Sequence, residues 1–204
     1  MDSTEVGTAR TARGTATRAR IVEAAADLVR ARGVANTSLD AVLAASHASK
    51  SQLYHYFASK DDLVLAVIQR QVDCVLAAQE SLLRELKSLA GLRRWRDALV
   101  EMSRQSGCAG GCPLGSLVSE LAESERPRAR LAAGFTRWES YLIAGFTTMR
   151  ARAELKASVD PAELATAVLA ALQGGLLLAQ TMRSTRPLEL ALDMAIEHVA
   201  AQTR

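Results

Sequence analysis

The chain has 204 residues, 25 Lys+Arg against 22 Asp+Glu, and 49% hydrophobic but only 4% aromatic residues. That length allows one large domain or two small ones. The few β-branched and aromatic residues, with no alternating pattern, exclude a strand-rich fold and point to an all-α protein. Three cysteines (Cys74, Cys108, Cys112) are too few for a secreted disulfide framework, and the polar start MDSTEVGTARTARGTATRAR lacks the apolar stretch of a signal peptide. A cytoplasmic location is expected.

The net charge of +3 is unevenly placed. Residues 1–60 hold 8 Lys/Arg against 5 Asp/Glu, whereas residues 61–204 hold 17 of each. A local basic excess is what attraction to phosphates requires.

Residues 1–16 show no periodicity and read as a disordered basic tail. Its arginines, Arg10 and Arg13, with Arg18 and Arg20 beyond, either track phosphates or a minor groove, or are simply solvated. A first helix is predicted from about Thr17 to Arg32, with Ile21, Ala24, Ala25, Leu28 and Val29 on one face and Gly33 ending it. Thr37 or Ser38 caps a second helix. Ser46-His47-Ala48 forms a tight turn, and Ser49 caps a third helix of about seven residues. Ser59-Lys60-Asp61-Asp62 opens a long helix that reaches the late 80s, with or without a break. Further helices are predicted at about 92–106, 114–123, 127–153, 160–183 and 187–202. The two glycines and proline of Cys108-Ala-Gly-Gly-Cys112-Pro113 interrupt the body, and Asp160-Pro161 supplies a cap followed by a first-turn proline.

Two short helices around a tight turn form a helix-turn-helix, whose second helix enters the major groove of DNA. In SKSQLYHYF, Leu53 and Phe57 lie four apart and face inward. Lys50, Ser51, Gln52, Tyr54, His55 and Tyr56 are left for DNA or for the head's surface, while Tyr54 and Tyr56 alternatively close the small core. Gln pairs with adenine, Lys reaches guanine or phosphate, and Tyr and Ser hydroxyls take phosphates. Thr37, Ser38, Ser49 and Lys60 stand at helix starts, where backbone amides meet phosphates.

This stretch resembles the DNA-binding head of the TetR family of bacterial repressors. Thr37, Ser49, Lys50, Leu53, Tyr54, Tyr56, Phe57, Ser59, Lys60, Asp61 and Leu63 match the family pattern, which covers about residues 17–65. His47 departs from it, standing where the family has glycine in the left-handed conformation; histidine tolerates that conformation at some cost. GCPLGSLVSEL (residues 111–121) and Phe135-Thr-Arg-Trp-Glu139 resemble the subgroup that includes the flavonoid-responsive repressors LmrA and YxaF. The resemblance implies a helix-turn-helix domain over 17–60 and a ligand-binding and dimerisation domain over 61–204. It places the ligand pocket among the middle helices and the dimer interface on the last two.

The residues agree with that division. Trp95, Leu99, Met102, Cys112, Leu114, Leu117, Leu121, Phe135, Trp138, Leu142 and Phe146 either line an apolar cavity or form ordinary core. The run from Leu164 to Met182 is long enough to span a membrane, but Thr166, Gln173, Gly174, Gly175, Gln180 and Thr181 interrupt it. A helix buried at a two-fold interface is the better reading, with Leu169, Leu172, Gln173, Leu176, Met194 and His198 facing the partner.

The sequence thus describes a homodimeric regulator of double-stranded DNA, released from a palindromic operator by a small apolar or aromatic effector. It shows no catalytic constellation, cofactor motif or metal-ligand spacing. One alternative is a regulator that senses oxidants or electrophiles through Cys108 and Cys112. Another is a helical small-molecule binding protein that does not touch DNA.

Overall fold

The computed structural model describes residues 4–204, with side chains described from Gly14 onward. Those residues form ten α-helices: α1 (Thr4–Arg32), α2 (Leu39–Ser46), α3 (Lys50–Tyr56), α4 (Lys60–Ala77), α5 (Glu80–Arg84), α6 (Leu89–Gln105), α7 (Gly115–Leu121), α8 (Glu125–Ala151), α9 (Pro161–Met182) and α10 (Arg186–Ala201). An isolated antiparallel bridge joins Leu155 and Thr203. The chain divides into two compact units. The first takes the chain up to Asp73 with Leu117–Leu131, and the second takes Cys74–Ser116 with Ala132–Arg204.

Helix α1 begins at Thr4, so most of the stretch read as a tail is helical. Residues 4–16 hold no proline, so the helix extends from Thr17 toward the N-terminus unbroken, with Ala and Arg favouring it and Gly7 and Gly14 each costing about 1 kcal/mol. Residues 1–3 and the side chains of Arg10 and Arg13 lie outside the description. Arg18 and Arg20 are folded onto the first unit: the Arg18 guanidinium lies 5.3 Å from the Phe57 ring centroid, and Arg20 Nε donates to the Ser46 carbonyl at 2.9 Å.

In the first unit the buried face of α1 (Ile21, Val22, Ala25, Ala26, Val29) shares a core with Val42, Leu53, Phe57, Leu63, Val67 and Ile68. Gly33 ends α1 at φ +82°, its N–H bonded to Val29 O at 2.8 Å. Without a Cβ it adopts this left-handed conformation freely.

The second unit is organised by α9, α10 and α6. Asp160 caps α9 by accepting from Ala162 N at 2.9 Å, ahead of Pro161. Helix α9 is long and apolar enough to cross a membrane, yet Leu164, Val168, Leu172 and Ala179 sit in the core, as in a central helix of a helical bundle. Arg96 of α6 makes a two-pronged pair with Asp193 of α10 at 2.9 and 2.8 Å. Helix α4 stops at Ala77 rather than running on to the late 80s. Gln79 leaves the helix, accepts from the Trp95 indole at 2.9 Å and donates to Val75 O at 3.1 Å. The helical bond lost there is offset by full satisfaction of a buried indole.

Gly145 of α8 shows how closely this unit is packed. A Cβ there would stand 1.8 Å from the Leu86 carbonyl oxygen. Gly145→Ala should therefore lower stability by about 2–3 kcal/mol, since overpacking forces the backbone to shift. Urea denaturation read by circular dichroism checks this, and a loss under 0.5 kcal/mol would contradict the packing described.

Candidate nucleic-acid interface and ligand-binding body

The recognition element is built from its caps outward. Ser38 caps α2 by accepting from Ala41 N at 3.2 Å. His47 closes α2 at φ 51°, ψ 31°, the left-handed conformation the turn demands. Ser49 then caps α3 in a reciprocal box: its hydroxyl accepts from Gln52 N at 3.2 Å, and Gln52 Oε1 accepts from Ser49 N at 2.9 Å. Leu53 and Phe57 are buried beneath, so α3 turns its other side outward. Lys50, Ser51, Gln52, Tyr54 and His55 are all exposed there, Tyr54 at 49%. Tyr56 is half-buried; its hydroxyl comes within 3.3 Å of where a Cβ on Gly14 would stand.

Three expected contact residues are engaged elsewhere. Thr37 is buried, and its hydroxyl donates to Gly33 O at 2.7 Å, so it fastens the loop rather than facing outward. Lys60 is half-buried and its ammonium donates to Val34 O at 2.9 Å. The Gln52 oxygen is committed to the cap, so a two-pronged pair with adenine requires the cap to open.

The same loop is held by a residue that sequence reading missed. Glu120, in the α7 part of the first unit, accepts from Val34 N at 2.8 Å and Ala35 N at 3.1 Å. Its carboxylate lies against Gly33, where a Cβ would come within 2.8 Å of Oε1. Successive backbone N–H groups around a left-handed residue form an anion-binding concavity, here filled by the chain's own carboxylate. The Val34 peptide is thus held on its oxygen by Lys60 and on its nitrogen by Glu120. Nearby, Arg126 Nη2 donates to Asp62 Oδ1 at 3.0 Å and Arg130 Nη1 to Gln69 Oε1 at 3.1 Å. The Arg126 guanidinium, then the Ser59 hydroxyl, hold the Asp62 carboxyl below its ordinary pKa. Their contribution is present above the ordinary carboxylate pKa and is lost as pH falls through the lowered one.

The residues expected to line a pocket divide between the units. In the second, Trp95, Leu99, Cys112, Trp138, Leu142 and Phe146 are buried and Phe135 is half-buried. Leu117 and Leu121 are buried in the first. Met102 is 38% exposed, on the outer side of α6, which argues against a place in an enclosed cavity. Trp95 has its indole satisfied by Gln79, whereas Trp138 Nε1 is buried without a hydrogen-bond partner. Cys108 and Cys112 are free and buried. Burial pushes the Cys112 thiol pKa up against the N–H groups of Gly115 and Leu114, a poor setting for a reactive thiolate. Among the described residues no three His, Cys, Asp or Glu side chains gather as for a metal ion.

On α9 and α10 the expected interface residues separate. Leu172 and Leu169 are buried in the chain's own core, so they are not free to face a partner. Leu176 and Gln173 are half-buried, while Met194 and His198 are exposed. The outer face instead carries Leu177 at 63%, Leu178, Met182, Leu190 and Met194 at 66%. Gly175 receives α10 of the same chain, with Leu188 Cα 2.9 Å from its would-be Cβ.

A capped, half-exposed second helix after a left-handed turn, joined to a helical body, defines a helix-turn-helix DNA-binding regulator. Comparison with known proteins agrees. Residues 21–67 match the tetR family of bacterial regulatory proteins, and residues 88–195 match the tetracyclin repressor-like C-terminal domain. An uncharacterised helix-turn-helix-type transcriptional regulator of Mycobacterium tuberculosis is 31% identical over 188 residues, covering 85% of this chain and 89% of that protein. The transcriptional regulator AcuR of Cereibacter sphaeroides is 30% identical over 172 residues, covering 82% of this chain and 78% of that one. A TetR transcriptional regulator from Chloroflexus aurantiacus superposes with a TM-score of 0.79 at 26% identity, over 94% of this chain and 98% of that one. Reduced NemR of E. coli superposes at 0.73 and 26% identity, over 90% and 96%. The chain belongs to the TetR family of transcriptional regulators. These matches do not assign it to the LmrA and YxaF subgroup.

Glu120→Ala removes the acceptor for two backbone amides. Hydrogen exchange in residues 33–37 should accelerate at least about tenfold, the effect of losing about 1.4 kcal/mol of local protection, while α9 stays protected. Unchanged exchange in that loop would show that Glu120 does not hold it.

Proposed function

We propose that this regulator is a cytoplasmic homodimeric repressor, released from a palindromic operator by a small apolar or aromatic effector. The observation that carries the DNA-binding part is the outward face of α3, where Lys50, Ser51, Tyr54 and His55 stand exposed while Leu53 and Phe57 anchor the opposite side. Two such helices fit successive major-groove faces about 34–36 Å apart. Ser38 and Ser49 stand at the starts of α2 and α3, positioned for phosphates. Thr37 and Lys60 act indirectly, by holding the loop ahead of α2. Gln52 reads a base only when it exchanges its cap bond for one to DNA.

The exposed apolar face of α9 and α10 supports a two-fold dimer. Leu177, Leu178, Met182, Leu190 and Met194 are large and exposed on adjacent helices, as suits an isologous four-helix contact. The effector would bind in the body and favour a head spacing that fits DNA poorly. Reciprocity then requires that operator DNA weaken effector binding by the same factor.

Fluorescence anisotropy with DNA flanking the protein's own gene tests the central reading. Lys50→Ala should weaken every DNA sequence and lower the salt slope by about one unit. No sequence-preferring binding by the parent chain at moderate salt would refute operator recognition. Leu177→Glu combined with Met194→Glu should convert the dimer to a folded monomer in analytical ultracentrifugation, with operator affinity falling at least about a hundredfold as the two-headed grip is lost. A double variant that remains dimeric would move the interface elsewhere.

A further inference from the structure

The first unit holds a cavity of about 250 Å³ that opens to solvent. Arg18 of α1, Tyr56 and Phe57 at the end of α3, Asp62 and Gln69 of α4, and Arg130 of α8 line it. It is smaller than the roughly 300–1,000 Å³ of pockets for drug-sized ligands. Four helices thus present side chains to one small space.

The charges on those walls do not balance. The Arg18 guanidinium lies 5.3 Å from the Phe57 ring centroid, and no carboxylate among the described residues pairs with it. An aromatic face holds a guanidinium in place without consuming its N–H groups. Arg130 uses Nη1 on Gln69 Oε1 at 3.1 Å, and it too has no carboxylate partner among those residues. The Tyr56 hydroxyl is half-buried and makes no hydrogen bond to them. Asp62 is the carboxylate on the wall, and its charge is already answered. Arg126 Nη2, outside the cavity, donates to Asp62 Oδ1 at 3.0 Å, and the Ser59 hydroxyl donates to Oδ2 at 3.1 Å. Two cations therefore face the same space with no countercharge from the chain. Their mutual repulsion falls when an anion stands between them. Arginine's planar fork gives two charge-assisted bonds to the oxygens of a carboxylate or phosphate.

We propose that this cavity binds a small oxyanion, carboxylate or phosphate, held by the guanidinium groups of Arg18 and Arg130 and by the Tyr56 hydroxyl. Leu65 and Ala66 complete the walls with apolar surface, so an anion carrying a small ring fits as well as a bare one. The site lies in the first unit, whereas the effector reading above uses the body, and neither depends on the other.

Calorimetric titration of the full chain at low ionic strength tests the site with three probes: benzoate, inorganic phosphate and neutral benzamide. At least one of the two anions should bind saturably, one per chain, and benzamide should not. Arg18→Gln and Arg130→Gln should each weaken the anion about tenfold, the effect of one charge-assisted bond. Tyr56→Phe should weaken it by a smaller factor. Arg128→Gln is the control, because Arg128 is exposed on the same helix and does not line the cavity. It should leave the affinity within about twofold. The anion should also raise the melting temperature of the parent and not that of Arg130→Gln. The proposal is overturned if neither anion binds saturably, if benzamide binds as tightly, or if Arg128→Gln costs as much as Arg130→Gln. Where Arg18→Gln fails to fold, Arg130→Gln decides, since its recorded bond is to Gln69 at the surface. A further arm separates the two sources of phosphate. Duplex DNA that expels the anion, and that itself binds Arg130→Gln more weakly, identifies the DNA backbone as the occupant. An anion retained in the protein–DNA complex identifies a free small molecule.

Discussion

Helix α3 has seven residues, far too few for a helix to persist in water unaided. Everything that makes it usable comes from outside its own backbone bonds. The Ser49–Gln52 box answers two free amides at its start, and the burial of Leu53 and Phe57 anchors its inner side. Cap and core together supply a few kcal/mol, enough to offset the nucleation cost and little more. Apart from Gln52, the outer residues are therefore free to carry charge and hydroxyls, since none of the others is needed to keep the helix folded.

The loop ahead of α2 extends this dependence. Its amides and carbonyls are held by Glu120, Lys60 and Thr37, each bonded to a different backbone atom between Gly33 and Ala35. A loop tied at so many points has little freedom of its own, so it passes on to α2 whatever position its anchors take. Glu120 lies at the end of α7, far along the chain from the helix-turn-helix, yet it belongs to the same compact unit. The DNA-binding unit is consequently larger than its motif.

Much of the head was legible in the sequence because caps and turns are local. Ser38, Ser49 and Gly33 announce helix ends through their own side chains or lack of one, and His47 adopts the left-handed turn its position requires. Long-range hydrogen bonds to backbone leave no such trace, because every residue offers the same N–H. Nothing in the sequence distinguishes Glu120 from other surface glutamates. Lys60 and Thr37 hold the loop through Val34 O and Gly33 O, a role their residue types do not disclose. On α9 the difficulty is different. Leu172, Leu176 and Leu177 are chemically identical, and on a helix apolar nearly all round only packing decides that the first is core and the third is surface.

The contact between Gly33 and Glu120 links two positions 87 residues apart into one unit of sequence drift. Any side chain at 33 both strains the backbone and displaces the carboxylate. Any residue at 120 without a side-chain acceptor of that length strips the partner from two amides at once. Across descendants of this chain the two positions would change together or not at all. A pairing of glycine with a distant acid would then mark which relatives fasten their heads in this manner, without a structure of any of them.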